Sequence, residues 1–271
     1  MNTLDDFGLT GSLVALVTPM RANGAIDLDA WARLLDWHVA AGSDGVVVGG
    51  TTGESATLDA GERDRLLESA LDRVGDRIRV IAGTGAAATA VAVDQSRRAA
   101  ALGAHAVLVV TPYYNRPPQR GLVAHYRAVA DASDAPVILY NVPGRTAIDL
   151  APETAIEIAG HERIVGLKEA VADMGRVRQL TEAGLGVLSG DDPSARAAMA
   201  AGAVGVISVA ANIVPDRFAA LCRAARNDRS DEAEALDAEL ASLYRFLGVE
   251  SNPVPAKWLL AEQGRIGPGI R

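Results

Sequence analysis

Eight short runs of β-branched and apolar residues, spaced by longer alanine-rich segments of helical period, constrain this chain more than any other feature. The runs cover 13–18, 45–48, 79–82, 106–110, 136–140, 164–168, 186–189 and 205–208, and each has the length and residue types of a buried strand. Helical periodicity fills the gaps at 28–41, 59–74, 89–102, 119–132, 152–159, 174–182 and 194–201. Regular alternation of this kind implies a parallel sheet, because parallel neighbours need a crossover helix between them. Three segments echo one another: Ala40-Ala41-Gly42-Ser43-Asp44-Gly45-Val46, Ala101-Leu102-Gly103-Ala104-His105-Ala106-Val107 and Ala201-Gly202-Ala203-Val204-Gly205-Val206. In each, a glycine ends the helix and a buried strand begins soon after.

Two parallel architectures compete. A doubly wound sheet that binds a dinucleotide wants Gly-x-Gly-x-x-Gly after its first strand, but the first run here ends Val17-Thr18-Pro19. A closed ring of eight units commonly uses about 250 residues, and the chain has 271. The expected fold is therefore α/β, a (β/α)8 TIM barrel over 1–213 with a short C-terminal helical extension over 214–271. Helices are expected there at 216–226, 231–246 and 255–262. The extension is expected to lie away from the strand ends that hold the chemistry.

Composition narrows the function. The net charge is −8, whereas nucleic acids and anionic membranes both reward a basic face, so neither is an expected partner. The longest apolar runs fall far short of the roughly 20 residues that cross a bilayer. The segment from Met1 to Phe7 is acidic where a secretory leader is basic, so a cytoplasmic protein is expected. The single cysteine, Cys222, offers neither an intrachain disulfide nor a zinc cluster. His38, His105, His125 and His161 fall in helices or just before strands without metal-ligand spacing, and they read as structural or exposed.

Of 26 basic residues only Lys168 and Lys257 are lysine. Arginine stays protonated and cannot form an imine, so a chain that uses arginine almost everywhere must still keep lysine wherever an amine attacks a carbonyl. Lys168 ends the sixth run, Ile164-Val165-Gly166-Leu167-Lys168, and barrel active sites sit at such strand ends. An ion pair with Glu169, or a side chain snorkelling to solvent, fits the same position. Lys257, in Asn252-Pro253-Val254-Pro255-Ala256-Lys257-Trp258, reads as structural.

Other strand ends carry polar groups. The second leads into Gly49-Gly50-Thr51-Thr52-Gly53-Glu54-Ser55, whose amides and hydroxyls suit a carboxylate, although ordinary turns have similar residues. It lacks the Gly-Lys-Ser/Thr of a phosphate-binding loop. The fourth and fifth lead into Thr111-Pro112-Tyr113-Tyr114-Asn115-Arg116-Pro117 and Leu139-Tyr140-Asn141-Val142-Pro143-Gly144-Arg145-Thr146, which hold three of the five tyrosines. Tyrosine moves protons and arginine grips carboxylates; aromatic packing and a solvated arginine are the plain alternatives.

Taken together, Gly50 to Ser55, Tyr113 to Pro117, Tyr140 to Thr146 and Gly166-Leu167-Lys168-Glu169 resemble the dihydrodipicolinate synthase family. That family lies within the pyruvate-dependent class I aldolases, the N-acetylneuraminate lyase superfamily. The resemblance runs from about Gly11 to Glu262. It implies a lyase of lysine (diaminopimelate) biosynthesis that condenses pyruvate with L-aspartate 4-semialdehyde to 4-hydroxy-tetrahydrodipicolinate. By the same resemblance Lys168 forms a Schiff base with pyruvate, Tyr140 is the central acid and base, and Thr51 and Tyr114 complete a proton relay. Thr52, Gly190 and Ile207 line the pyruvate site, and Arg145 binds the carboxylate of the semialdehyde. No cofactor beyond the imine is implied. A homotetramer is, as a dimer of dimers in which Tyr114 crosses to a neighbouring subunit. Other activities of the superfamily, on sialic acid or keto-deoxy sugar acids, and a catalytically idle small-molecule sensor are the alternatives.

Two departures from the family pattern stand out. The region that binds lysine in feedback-sensitive members resembles Ser55, Ala56, Arg63, Ala87, Val91 and Tyr113. A cationic Arg63 beside apolar Ala87 and Val91 suits an ammonium group poorly, so weak or absent inhibition is expected. Family members also continue through one more helix beyond the position of Arg271.

Overall fold

The computed structural model describes residues 3–271. Eight parallel strands close into one barrel in sequence order: β1 (Gly11–Ala15), β2 (Gly45–Val48), β3 (Arg79–Gly83), β4 (Ala106–Val110), β5 (Val137–Asn141), β6 (Ile164–Glu169), β7 (Val187–Ser189) and β8 (Gly205–Ser208). Pairing of Gly11 with Gly205 and Ser12 with Val206 makes the closure, which is why β1 starts two residues before its apolar run. The intervening helices are α1 (Leu28–Ala40), α2 (Ala60–Val74), α3 (Thr89–Ala101), α4 (Gln119–Ala132), α5 (Pro143–Thr146), α6 (Pro152–Ile158), α7 (Met174–Glu182) and α8 (Ala195–Ala200). The short α5 turn is not visible in the periodicity; a proline at its start permits it.

Each strand is buried on both faces, so its alternation sorts side chains between two apolar layers. On β2, Val46 and Val48 face the outer helices, while Val47 joins Leu13, Ile81, Ile138, Leu188 and Ile207 inside the barrel. Leu4 and Leu9 join that inner cluster from the N-terminal segment.

One strand breaks the alternation. Val137 pairs with Ile164 but Ile138 pairs with Gly166, so β6 carries one extra residue, Val165, against β5. Such a bulge resets the inward and outward phase. Ile164 and Leu167 face the helices, and Lys168 then pairs with the inward Tyr140. With unbroken alternation from Ile164, Lys168 would point outward and Glu169 inward. Gly166 makes the bulge compact: a Cβ there would lie 2.6 Å from Leu4 Cγ.

Three further helices follow, α9 (Pro215–Arg226), α10 (Ser230–Leu247) and α11 (Val254–Glu262). Helix α9 packs on β1 and β8 and completes the outer ring, and α10 packs on α9. The 18 residues of α10 carry the chain about 27 Å at 1.5 Å per residue. The expectation that this extension stays clear of the strand ends is therefore corrected: Asn252, just beyond α10, lines the cavity at the barrel mouth. Among the described residues no helix is long and apolar enough to cross a membrane.

Candidate active site

A cavity of about 220 Å³ opens where the C-terminal strand ends converge, and Lys168 stands in it. The lysine is 5% exposed, and its Nζ lies 4.3 Å from the centre of the Tyr140 ring, a cation–π distance. The proposed partner Glu169 points the other way. It accepts from Arg176 Nε at 2.7 Å, Asn141 Nδ2 at 2.9 Å and the Val171 amide at 3.0 Å. Burial pushes the Glu169 carboxyl above its ordinary value, with the charge of Arg176 pulling against it. Among the described residues no ion pair involves Lys168. Both ordinary explanations of this lysine, a Glu169 pair and a solvent-exposed ammonium, are thereby removed.

Gly190 explains how tightly the lysine is held. A Cβ at this position would lie 2.8 Å from Lys168 Cε and 3.0 Å from Ala170 Cβ, so the strand β7 end closes directly on the lysine stem. Gly83 plays the matching part on the other side. A Cβ there would lie 2.3 Å from the Gly49 carbonyl oxygen, and its absence lets β3 press against the turn that carries Thr51 and Thr52.

That turn is braced at several points. Thr18 Oγ1 donates to the Gly53 carbonyl at 2.7 Å, the Glu54 amide donates to the Thr51 carbonyl at 3.0 Å, and Glu54 adopts a left-handed conformation at φ 60°. Asn252 Nδ2 donates to Thr52 Oγ1 at 2.9 Å. The Asn252 carbonyl in turn accepts from Arg145 Nη2 at 3.1 Å, which draws the guanidinium of α5 over the cavity mouth. Asp192 organises the β8 end, accepting from the amides of Val209 at 3.0 Å and Ala210 at 2.7 Å.

Of the expected site residues, Thr51, Thr52, Tyr140, Arg145, Lys168, Gly190 and Ile207 line this one cavity. Tyr114 does not. It is 93% exposed and held at φ 71°, a conformation uncommon for a residue with a side chain. The histidines lie elsewhere. His38 and His125 are buried, and burial lowers their pKa to about 3 and about 4. His105 Nδ1 accepts from the Val80 amide at 2.9 Å, and His161 Nε2 meets Asp131 Oδ1 at 3.1 Å. Cys222 is buried, which pushes its thiol up.

A keto acid in this cavity would meet an amine, a phenol, two threonines and an arginine at once. A family model described as the dihydrodipicolinate synthetase family matches residues 8–268. The chain belongs to this family.

A 4-hydroxy-tetrahydrodipicolinate synthase from Stenotrophomonas maltophilia is 52% identical over 266 residues, 97% of this chain and 89% of that protein. One from Coxiella burnetii is 48% identical over 261 residues, 96% and 90% of the two chains. The crystal structure of the chloride-inhibited dihydrodipicolinate synthase from Acinetobacter baumannii, complexed with pyruvate, superposes with a TM-score of 0.95. It shares 43% identity, covering 97% of this chain and 91% of that one.

Within this dihydrodipicolinate synthetase family member, sequence reasoning missed Asn252, Asp191, Val142 and Val209 among the cavity residues. Val142 lies inside the run Leu139 to Thr146 already quoted but was given no role, and Val209 directly follows the expected strand 205–208. Asn252 follows β8 by more than forty residues, and no local pattern points from it to the barrel mouth.

Proposed function

We propose that this chain is a 4-hydroxy-tetrahydrodipicolinate synthase, joining pyruvate to L-aspartate 4-semialdehyde in lysine biosynthesis. The observation that carries the reading is Lys168: a buried lysine without an ion-pair partner, packed on a tyrosine in a strand-end cavity. Its amine attacks the pyruvate carbonyl and expels water, leaving an imine on Nζ. Tyr140 accepts and returns protons during that exchange, in a relay with Thr51 and with Tyr114 from a neighbouring subunit. The 93% exposure of Tyr114 in a single chain suits a residue that serves a partner.

Thr52, Gly190 and Ile207 hold the keto acid. Loss of a methyl proton gives the enamine, whose carbon attacks the semialdehyde. Arg145 grips the semialdehyde carboxylate with the N–H groups that Asn252 leaves free. The substrate's own amine then closes the ring and displaces Lys168, releasing 4-hydroxy-tetrahydrodipicolinate. The imine needs no external cofactor. The assembly we propose is a homotetramer, working in the cytoplasm on small molecules.

The second reading, cleavage of sialic acid or keto-deoxy sugar acids through the same imine, is opposed by Arg145. A cation at the mouth suits a short carboxylated aldehyde better than a neutral polyol. Turnover measured with pyruvate plus aspartate semialdehyde, against sialic acid and keto-deoxy sugar acids, tests the choice. Activity confined to the semialdehyde supports the proposal, and faster turnover of a sugar acid overturns it.

A further inference from the structure

The second lysine has its own buried site. Lys257 is 4% exposed, on α11, and its Nζ donates to Glu54 Oε1. The other carboxylate oxygen of Glu54 accepts from the Arg271 amide at 2.8 Å. Glu54 is also almost fully buried, at 7%, and follows Thr52 by two residues in the braced turn. Two points on one C-terminal segment therefore grip this turn: Asn252 at the Thr52 hydroxyl and Lys257 at the Glu54 carboxylate. The choice of lysine follows from the space. A compact ammonium brings three donors into a closed site, whereas a guanidinium brings five that need acceptors.

The charge matters as much as the grip. The Thr51–Thr52 turn faces a cavity whose ligand, on the reading above, carries a carboxylate. An unpaired Glu54 carboxylate behind that turn would repel it, because charges in a poorly solvated interior act over several ångströms.

We propose that Lys257 is a positioning residue whose ammonium cancels the Glu54 charge behind the Thr51–Thr52 turn, so that the turn accepts the keto-acid carboxylate. This rests on the assignment of Lys168 as the imine-forming residue, and its role is in substrate binding rather than proton transfer.

The test is borohydride trapping of pyruvate, read by mass spectrometry as the pyruvate concentration giving half-maximal adduct on Lys168. Folded state is checked by circular dichroism. Lys257→Met, which removes the ammonium beside that anion, raises that concentration about threefold or more, while Glu54→Gln, which removes the anion, leaves it at or below the wild-type value. The double variant Lys257→Met/Glu54→Gln returns it to within about twofold, and it stands in for the single variant should Lys257→Met fail to fold. A merely structural pair predicts a rise in both single variants and in the double. Equal rises, or no rise with Lys257→Met, overturn the proposal. Absence of a Lys168 adduct in the unmodified protein overturns the underlying imine assignment instead.

Discussion

Lys168 and Tyr140 occupy facing rungs of β6 and β5, and the lysine Nζ lies 4.3 Å from the tyrosine ring centre. That relationship depends on the extra residue Val165, which turns the lysine inward and sends Glu169 outward to Arg176. An amine and a phenol on a common face are thus built into the strand register. Several consequences can be measured.

Tyr140→Phe keeps the ring on which Lys168 rests and removes only the hydroxyl. Turnover of pyruvate and aspartate semialdehyde falls by about 10²–10⁴-fold, the range for loss of a positioned acid and base. The melting temperature moves little, because the hydroxyl makes no hydrogen bond among the described residues. Steady-state kinetics and a thermal melt check both halves; undiminished kcat would exclude Tyr140 as the proton carrier.

Gly190→Ala puts a methyl group 2.8 Å from Lys168 Cε. The lysine stem must shift, and a misplacement near 1 Å at a reacting group costs on the order of 10²-fold in rate. The variant folds with at least a tenfold lower kcat, as a displacement of this kind implies. Wild-type kcat in Gly190→Ala would mean that the close fit around the lysine is unimportant.

How much of this was legible beforehand differs by residue. The barrel could be read because its strands are compact, largely apolar runs, and asking what each strand end displays pointed to Lys168, Tyr140, Arg145 and the Thr51–Thr52 loop, whereas Gly190 and Ile207 came only from the resemblance to the family. The inward aim of Lys168 could not be read: simple alternation from Ile164 points it outward, and the Val165 bulge is a pairing event between two strands. Asn252 was missed because its approach to Thr52 depends on where α10 delivers the chain. Pro143–Thr146 was missed because one helical turn is too short to show a period.

The buried histidines set an acid limit. His38 Nδ1 meets Ser43 Oγ at 3.2 Å, His125 Nδ1 meets Thr89 Oγ1 at 3.0 Å, and Nε2 of each is buried without a partner. Their folded pKa values of about 3 and about 4 lie below the ordinary 6.5. Below pH 6.5 the unfolded chain therefore takes up protons that the folded chain refuses. Stability present above that pH is lost as pH falls toward 4, by up to about 1.4 kcal/mol per histidine per pH unit. Glu169 and Asp192, whose carboxyls burial pushes up, act in the opposite sense as they protonate. His38→Gln/His125→Gln isolates the histidine part: its melting temperature declines less between pH 6.5 and 4.5 than that of the parent. An equal decline in both would exclude the histidines as its cause.

Added lysine should inhibit weakly. The Arg63 guanidinium donates to the carbonyls of Ser55 and Leu58 and to Gln95 Oε1, and its charge opposes an incoming ammonium. Val91, 44% exposed, offers that group no acceptor. Turnover is expected to be unchanged at low millimolar lysine; half-inhibition in that range would contradict this reading.

The most direct test of the central claim is reduction of the pyruvate adduct. The protein is incubated with pyruvate and borohydride, digested and mapped by mass spectrometry, with Lys168→Arg as the control. The account predicts a reduced pyruvate adduct on Lys168 and none in folded Lys168→Arg. Folded protein without an adduct, or an adduct that persists in the control at Lys257, would contradict it.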